Sequence, residues 1–153
     1  MNIRKIVNHP SKALKIRCEE VPESSWETPE GRLELTTQAE DMLATMRAHK
    51  GLGLASNQCG YTNRVMVVGG GAIEGLVMVN PKIISRTSGT KMTSEGCLSF
   101  PGLGKIVRRS KGVVVKWRDV QTGEEKLLDT EDQLAACIQH ELDHLNGKTF
   151  LDR

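Results

Sequence analysis

One pentapeptide near the C-terminus, His140-Glu141-Leu142-Asp143-His144, constrains this chain more than any other stretch. Two residues four apart on an α-helix project from one face about a turn from each other, so both imidazoles can reach a single metal ion. Glu141 then lies one residue round the helix, beside the ion without having to ligate it, which suits a base acting on water. A chain of this composition contains such a pattern by chance roughly one time in a hundred, so the motif alone does not decide its use. Thr130 as N-cap, Gln133 completing a capping box and Gly147 as a stop predict a helix over 131–146. Leu134, Cys137, Ile138 and Leu145 flank the histidines, which places the pair among core residues. Two satisfied core histidines are the bland alternative. A buried Glu between them, however, costs several kcal/mol unless a cation or hydrogen bonds compensate it.

At 153 residues the chain reads as a single domain spanning 1–153, long enough to bury a core without staples. A net charge of +2 carries neither the strong basic field of a dedicated DNA binder nor an acidic tail. Cys18, Cys59, Cys97 and Cys137 are widely spaced and form no CxxC, so they read as thiols rather than a disulfide framework. The N-terminus lacks the apolar run of a secretory signal, and no stretch approaches the ~20 apolar residues of a membrane span. The expectation is a soluble protein of the reducing cytoplasm, with no membrane partner.

Residues 1–22 read as irregular and extended around Pro10 and Pro22, with Ser11 capping a short turn and His9 a surface or packing residue. A loop pinned at Trp26 is expected over 23–31, then a helix over 37–49 capped by Thr36 and stopped by Gly51. Its Ala39, Met42, Leu43 and Met46 stripe reads as core packing. The segment 51–58 is too small and glycine-rich for a packed strand, yet too apolar for a solvent loop. Strands are predicted at 65–68, 76–80, 82–86, 105–108, 113–117 and 125–128, with an extended piece at 91–93 and a hairpin loop at the triple glycine 69–71. Lys105, Arg108, Arg109, Lys111, Lys116 and Arg118 read as a solvated sheet face rather than an RNA contact.

A hydrolytic metal site needs a third protein ligand. The only acid or His after His144 is Asp152. Cys97, flanked by Gly96 and Leu98, is the stronger candidate, against the alternative that it is a small buried hydrophobe. Gln58 ends a backbone-exposing segment from which a side-chain amide can donate to a developing oxyanion, although singly such a residue is more often a structural amide.

GLGLASNQ at 51–58, EGCLS at 95–99 and QHELDH at 139–144 resemble, in order and spacing, the three signature motifs of the peptide deformylases. The resemblance implies an α+β fold with small antiparallel or mixed β-sheets packed around a central metal-binding helix. It implies Cys97, His140 and His144 as metal ligands, Glu141 as general base and acid, and the Gln58 amide with the Leu98 N–H as oxyanion donors. Leu52, Gly53, Glu95, Gly96 and Cys137 would line or hold the substrate, and Arg109 is the expected basic partner of Glu95. The implied reaction is removal of the formyl group from N-formylmethionyl nascent peptides, close to the ribosome. Iron(II) is implied as the native metal, with zinc(II) or nickel(II) possible after purification, since two imidazoles and a thiolate also suit zinc. Two departures stand out. Ser56 replaces a usual Ala, adding a hydroxyl that needs a partner, and the expected C-terminal docking helix does not follow Arg153, the pattern of a compact form of the kind phages encode. A peptidase shares the HExxH chemistry but leaves the other two motifs unexplained, and a structural metal module that binds RNA is the non-enzymatic alternative.

Overall fold

The computed structural model describes residues 2–70 and 73–153. Two α-helices sandwich a five-stranded antiparallel sheet of order β1-β2-β3-β6-β7, and a separate hairpin of β4 and β5 stands beside it. The strands are β1 (Gly53–Ala55), β2 (Val65–Gly70), β3 (Ile73–Arg86), β4 (Thr90–Gly96), β5 (Gly104–Ser110), β6 (Gly112–Arg118) and β7 (Glu125–Glu131). The helices are a one-turn α1 (Ser24–Glu27), α2 (Pro29–Ala48) and α3 (Asp132–Leu145). This is the α+β architecture that the resemblance implied.

Period-two alternation explains the sandwich. Val65 and Val67 of β2 point to one face, where they join Trp26, Leu35, Met42 and Met46 under α2. Met66 and Val68 point to the other, with Met78, Val113 and Val115, and meet Ala135, Ile138, Leu142 and Leu145 of α3. With both faces covered, β2 buries every side chain from Val65 to Val68 completely.

Several boundaries differ from the sequence reading, each for a local reason. Helix α2 starts eight residues earlier than 37, with Pro29 in its first turn and the Thr28 hydroxyl accepting from the Gly31 N–H. Thr36, expected as the cap, lies inside the helix and donates to the Arg32 carbonyl. The loop expected over 23–31 is therefore mostly helical, although Trp26 does pin it, donating from its indole N–H to the Asp119 and Val120 carbonyls. Segment 51–58 does contain a packed strand: β1 is short but wholly buried and pairs with β2 from Gly53↔Val68 to Ala55↔Met66. Strand β3 runs straight through Pro81, because the register shifts between Val79 and Lys82 and the bulge absorbs the missing N–H. Of the triple glycine, Gly69 and Gly70 belong to β2, and Gly71 lies outside the described residues. Thr130 does not cap α3, because it is held in the β6–β7 ladder opposite Val113, so Glu131 is the cap and makes no side-chain bond there. The Gly147 stop holds: its φ is +75, and a Cβ would lie 2.5 Å from the Lys15 carbonyl oxygen.

Candidate metal and substrate site

The two faces of α3 are unlike. One turns Ala136, Cys137, His140 and Glu141 toward a cavity of about 740 Å³, closed on its other sides by Leu52 and Gly53 at the start of β1 and by residues 91–98 of the hairpin. Leu52, Gly53, Glu95, Gly96, Leu98 and Cys137 all line this cavity, so the fold brings together every residue the motifs nominated for the substrate. Gly53 is required here: a Cβ would sit 2.8 Å from Glu141 Cγ and 2.9 Å from Cys137 Sγ. Burial pushes the Cys137 thiol well above its ordinary range, and its Sγ donates to the Leu52 carbonyl at 3.1 Å.

Cys97, His140 and His144 form one cluster whose ligand atoms lie within 4.8 Å of one another. Cys97 Sγ is 3.3 Å from His144 Nε2. Asp152 takes no part, since its carboxylate accepts from the Thr149 N–H at 2.8 Å and caps a short 3-10 turn. His9 stacks on Phe100 at 4.6 Å and is a packing residue.

His140 is oriented through its other nitrogen. Its Nδ1 donates to Glu95 Oε1 at 2.9 Å, which leaves Nε2 with its lone pair for an ion. Glu95 is fully engaged: Arg109 Nη2 also donates to Oε1 at 2.8 Å, while Arg109 Nε and the Thr93 hydroxyl donate to Oε2 at 2.9 and 2.6 Å. Burial alone would raise the Glu95 pKa, but these bonds from Arg109, His140 and Thr93 outweigh it and bring it to about 2. Arg109 is thus the basic partner expected. Its remaining donor meets Asp143 Oδ2 at 2.6 Å, and Asp143 in turn takes Arg153 Nη2 at 2.5 Å and Nε at 3.0 Å. Asp143 and Arg153 went unnoticed in the sequence. The hint lay in the motif itself, where Asp143 falls on the helix face away from the cavity and needs a cation there.

Glu141 is 3% exposed, and its Oε2 has no hydrogen-bond partner. Burial is the main cause of a pKa pushed up to about 7. Burial instead lowers the His144 pKa, to about 3, so it is a neutral imidazole. Burial would lower His140 too, but bonds to Cys97 and Glu95 reverse this and raise it to about 10. A soft donor set of one sulfur and two imidazoles, with an orphaned buried carboxylate oxygen among the same residues of α3, fits a divalent metal.

Gln58 sits beside the cluster, 1% exposed. Its Oε1 accepts from the Ala55 N–H at 2.9 Å, which turns Nε2 toward Ser99 Oγ at 3.1 Å and Cys97 Sγ at 3.6 Å. Asn57 Nδ2 donates to the His144 carbonyl at 2.6 Å and ties this segment to the end of α3. The Ser56 hydroxyl finds its partner in the Asn63 carbonyl, so the departure at that position leaves no orphan donor.

Known proteins resemble this chain over most of its length. The family model described as polypeptide deformylase matches residues 3–153. A peptide deformylase of Xylella fastidiosa strain M12 is 40% identical over 144 residues, covering 93% of this chain and 78% of the relative. The crystal structure of peptide deformylase from Thermotoga maritima superposes with a TM-score of 0.90 at 32% identity, covering 100% of this chain and 98% of the other. A Met-Ala-Ser-bound class I type b peptide deformylase from Acinetobacter baumannii gives a TM-score of 0.91 at 30% identity, with 99% and 98% covered.

Proposed function

The chain belongs to the polypeptide deformylase family, and from that premise we propose how its residues divide the work of hydrolysing the formamide of N-formylmethionyl peptides to formate and a free amine. One observation carries the reading: Glu141 is buried with an unpartnered carboxylate oxygen beside the Cys97–His140–His144 cluster. A divalent cation held by those three side chains would polarise the formyl carbonyl and lower the pKa of a water at the open position.

Glu141 accepts a proton from the attacking water at its free oxygen and delivers it to the departing amine, a double role suited by a pKa near neutrality. The Gln58 Nε2, aimed past Cys97, and the backbone N–H of Leu98 donate to the oxyanion as the tetrahedral centre forms. β1 is an edge strand, and its backbone at Gly53 holds the extended substrate chain while Leu52, Glu95, Gly96 and Cys137 shape the recess for the methionine side chain. Glu95 is a positioning residue, fixing His140 through Nδ1.

The substrate is a nascent peptide, met in the cytoplasm near the ribosome by a chain acting as one domain over 1–153. Among the described residues no helix is long and apolar enough to cross a membrane. Iron(II) is the proposed native metal, with zinc(II) or nickel(II) replacing it in air, and elemental analysis of anaerobically prepared protein distinguishes them. Formate release from a formyl-Met peptide, with an unformylated peptide as the cleavage control, tests the activity. Glu141→Ala should bind metal stoichiometrically and release no formate above background. Wild-type formate release by that variant would refute the assignment of Glu141.

A further inference from the structure

We propose that a groove behind α3, on the side away from the catalytic cavity, binds the phosphodiester backbone of single-stranded RNA. Two adjoining clefts of about 580 and 290 Å³ share Ile83, Arg86, Leu142 and Asn146 and run together along that face. Nine of the chain's 21 Lys and Arg residues line them, against three of its 19 acids. The groove is therefore strongly cationic in a protein whose net charge is only +2, and the rest of the molecule is net acidic.

Pairing separates structural cations from available ones. Arg109 and Arg153 are held by Asp143, Arg118 by Glu23 and Lys116 by Glu125. Arg64 is buried and donates to the carbonyls of Cys18 and Leu145, closing the end of α3. Arg17, Lys82, Arg86 and Arg108 remain: all four are exposed, and among the described residues none has a carboxylate partner. Their bonds are to neutral groups, Asn146 for Arg17, Gln139 for Arg86 and Thr90 for Arg108. Each can turn to a phosphate oxygen without breaking an ion pair.

Shape and composition choose the ligand. Most of the groove's cations are guanidinium groups, whose forks match phosphate oxygens two at a time. A concave cleft excludes a flat anionic bilayer, and the paired bases of a duplex are not free to stack on its wall. Trp117 lies in the wall and offers a surface on which a base can stack. The basic residues that cluster in the sequence between Lys105 and Arg118 do not form this surface by themselves. They divide between β5 and β6, which belong to different sheets, and it is Arg17, Lys82 and Arg86 that complete the groove.

The test is fluorescence anisotropy of a labelled twelve-residue oligouridylate with the metal-loaded protein, titrated at 50 and 200 mM salt. Four phosphate contacts predict a slope of log K against log salt near −3, an affinity loss of about 50-fold over that interval. The quadruple variant Arg17→Gln, Lys82→Gln, Arg86→Gln, Arg108→Gln should bind at least 50-fold more weakly at 50 mM salt. It should release formate from a short peptide at the wild-type rate, which also reports that it folds. A control that neutralises Lys5, Lys12, Lys15 and Arg47 elsewhere should keep its RNA affinity within threefold. The proposal is overturned by a slope shallower than −1, by a groove variant that binds within threefold of wild type, or by a polyglutamate of equal length that binds as tightly as the RNA.

Discussion

Substituting Gly53→Ala isolates the packing of the catalytic helix against β1. The new methyl carbon would lie 2.8 Å from Glu141 Cγ, 2.9 Å from Glu141 Oε1 and 2.9 Å from Cys137 Sγ. Ordinary contact between carbons is about 3.5–4.0 Å, so Glu141 must retreat by roughly 1 Å. Neither side has room to yield easily, since Glu141 is buried in α3 and β1 is laddered to β2. Misplacing a catalytic group by ~1 Å costs about a hundredfold in rate, equivalent to about 2.7 kcal/mol in the barrier. The assay is continuous formate release at saturating formyl-Met peptide, with metal content measured on the same samples. Gly53→Ala should lose about a hundredfold in kcat while keeping its metal. Gly89→Ala, where an added Cβ meets nothing within 4 Å, should match wild type. A Gly53→Ala enzyme with full metal and a kcat within threefold of wild type would show that Glu141 is not held in place by this contact.

Gln58→Ala removes one proposed oxyanion donor and should lower kcat by roughly a hundredfold or more with little change in KM; an equal change in KM alone would assign the amide to substrate binding instead. For Glu95 the folded-state pKa, about 2, lies below the ordinary 4.5, so its contribution to stability is complete above pH 4.5 and is lost as pH falls toward 2. About 2 kcal/mol of that contribution should be gone by pH 3 in metal-free protein. Urea midpoints should therefore fall more steeply between pH 6 and pH 3 for wild type than for Glu95→Gln, and parallel losses would disprove the coupling. Chelation should abolish formate release yet leave the circular dichroism of the sheet and helices intact, because two large apolar clusters hold the fold without the ion. Global unfolding on chelation would instead mark a structural metal module.

Helix α3 was legible in the sequence because apolar period, motif and the Gly147 stop agree there. Its first residue was not, since the ladder to β6 overrides the capping preference of Thr130. The start of α2 was hidden by polar first turns and by Pro29 and Gly31, which read as loop residues until Thr28 is seen to cap them. Residue-level chemistry nominated Cys97 and Gln58, but each had a bland alternative that only the ordered triplet of motifs outweighed. The Arg109–Asp143–Arg153 chain stayed hidden for a different reason: Asp143 calls for a cation, but only folding shows which of the chain's arginines are buried beside it.

The β4–β5 hairpin shares no ladder with the five-stranded sheet. Cys97 follows the end of β4, while both histidines ride on α3, which is packed against that sheet. Coordination by the proposed ligands would therefore be a cross-link between two bodies, with the buried ion pairs through Glu95 and Arg109 as its hinge pin. An empty site would leave the hairpin anchored at one side and free to breathe at the other. Hydrogen exchange in β4 and β5 should then report occupancy more sensitively than any change in the core.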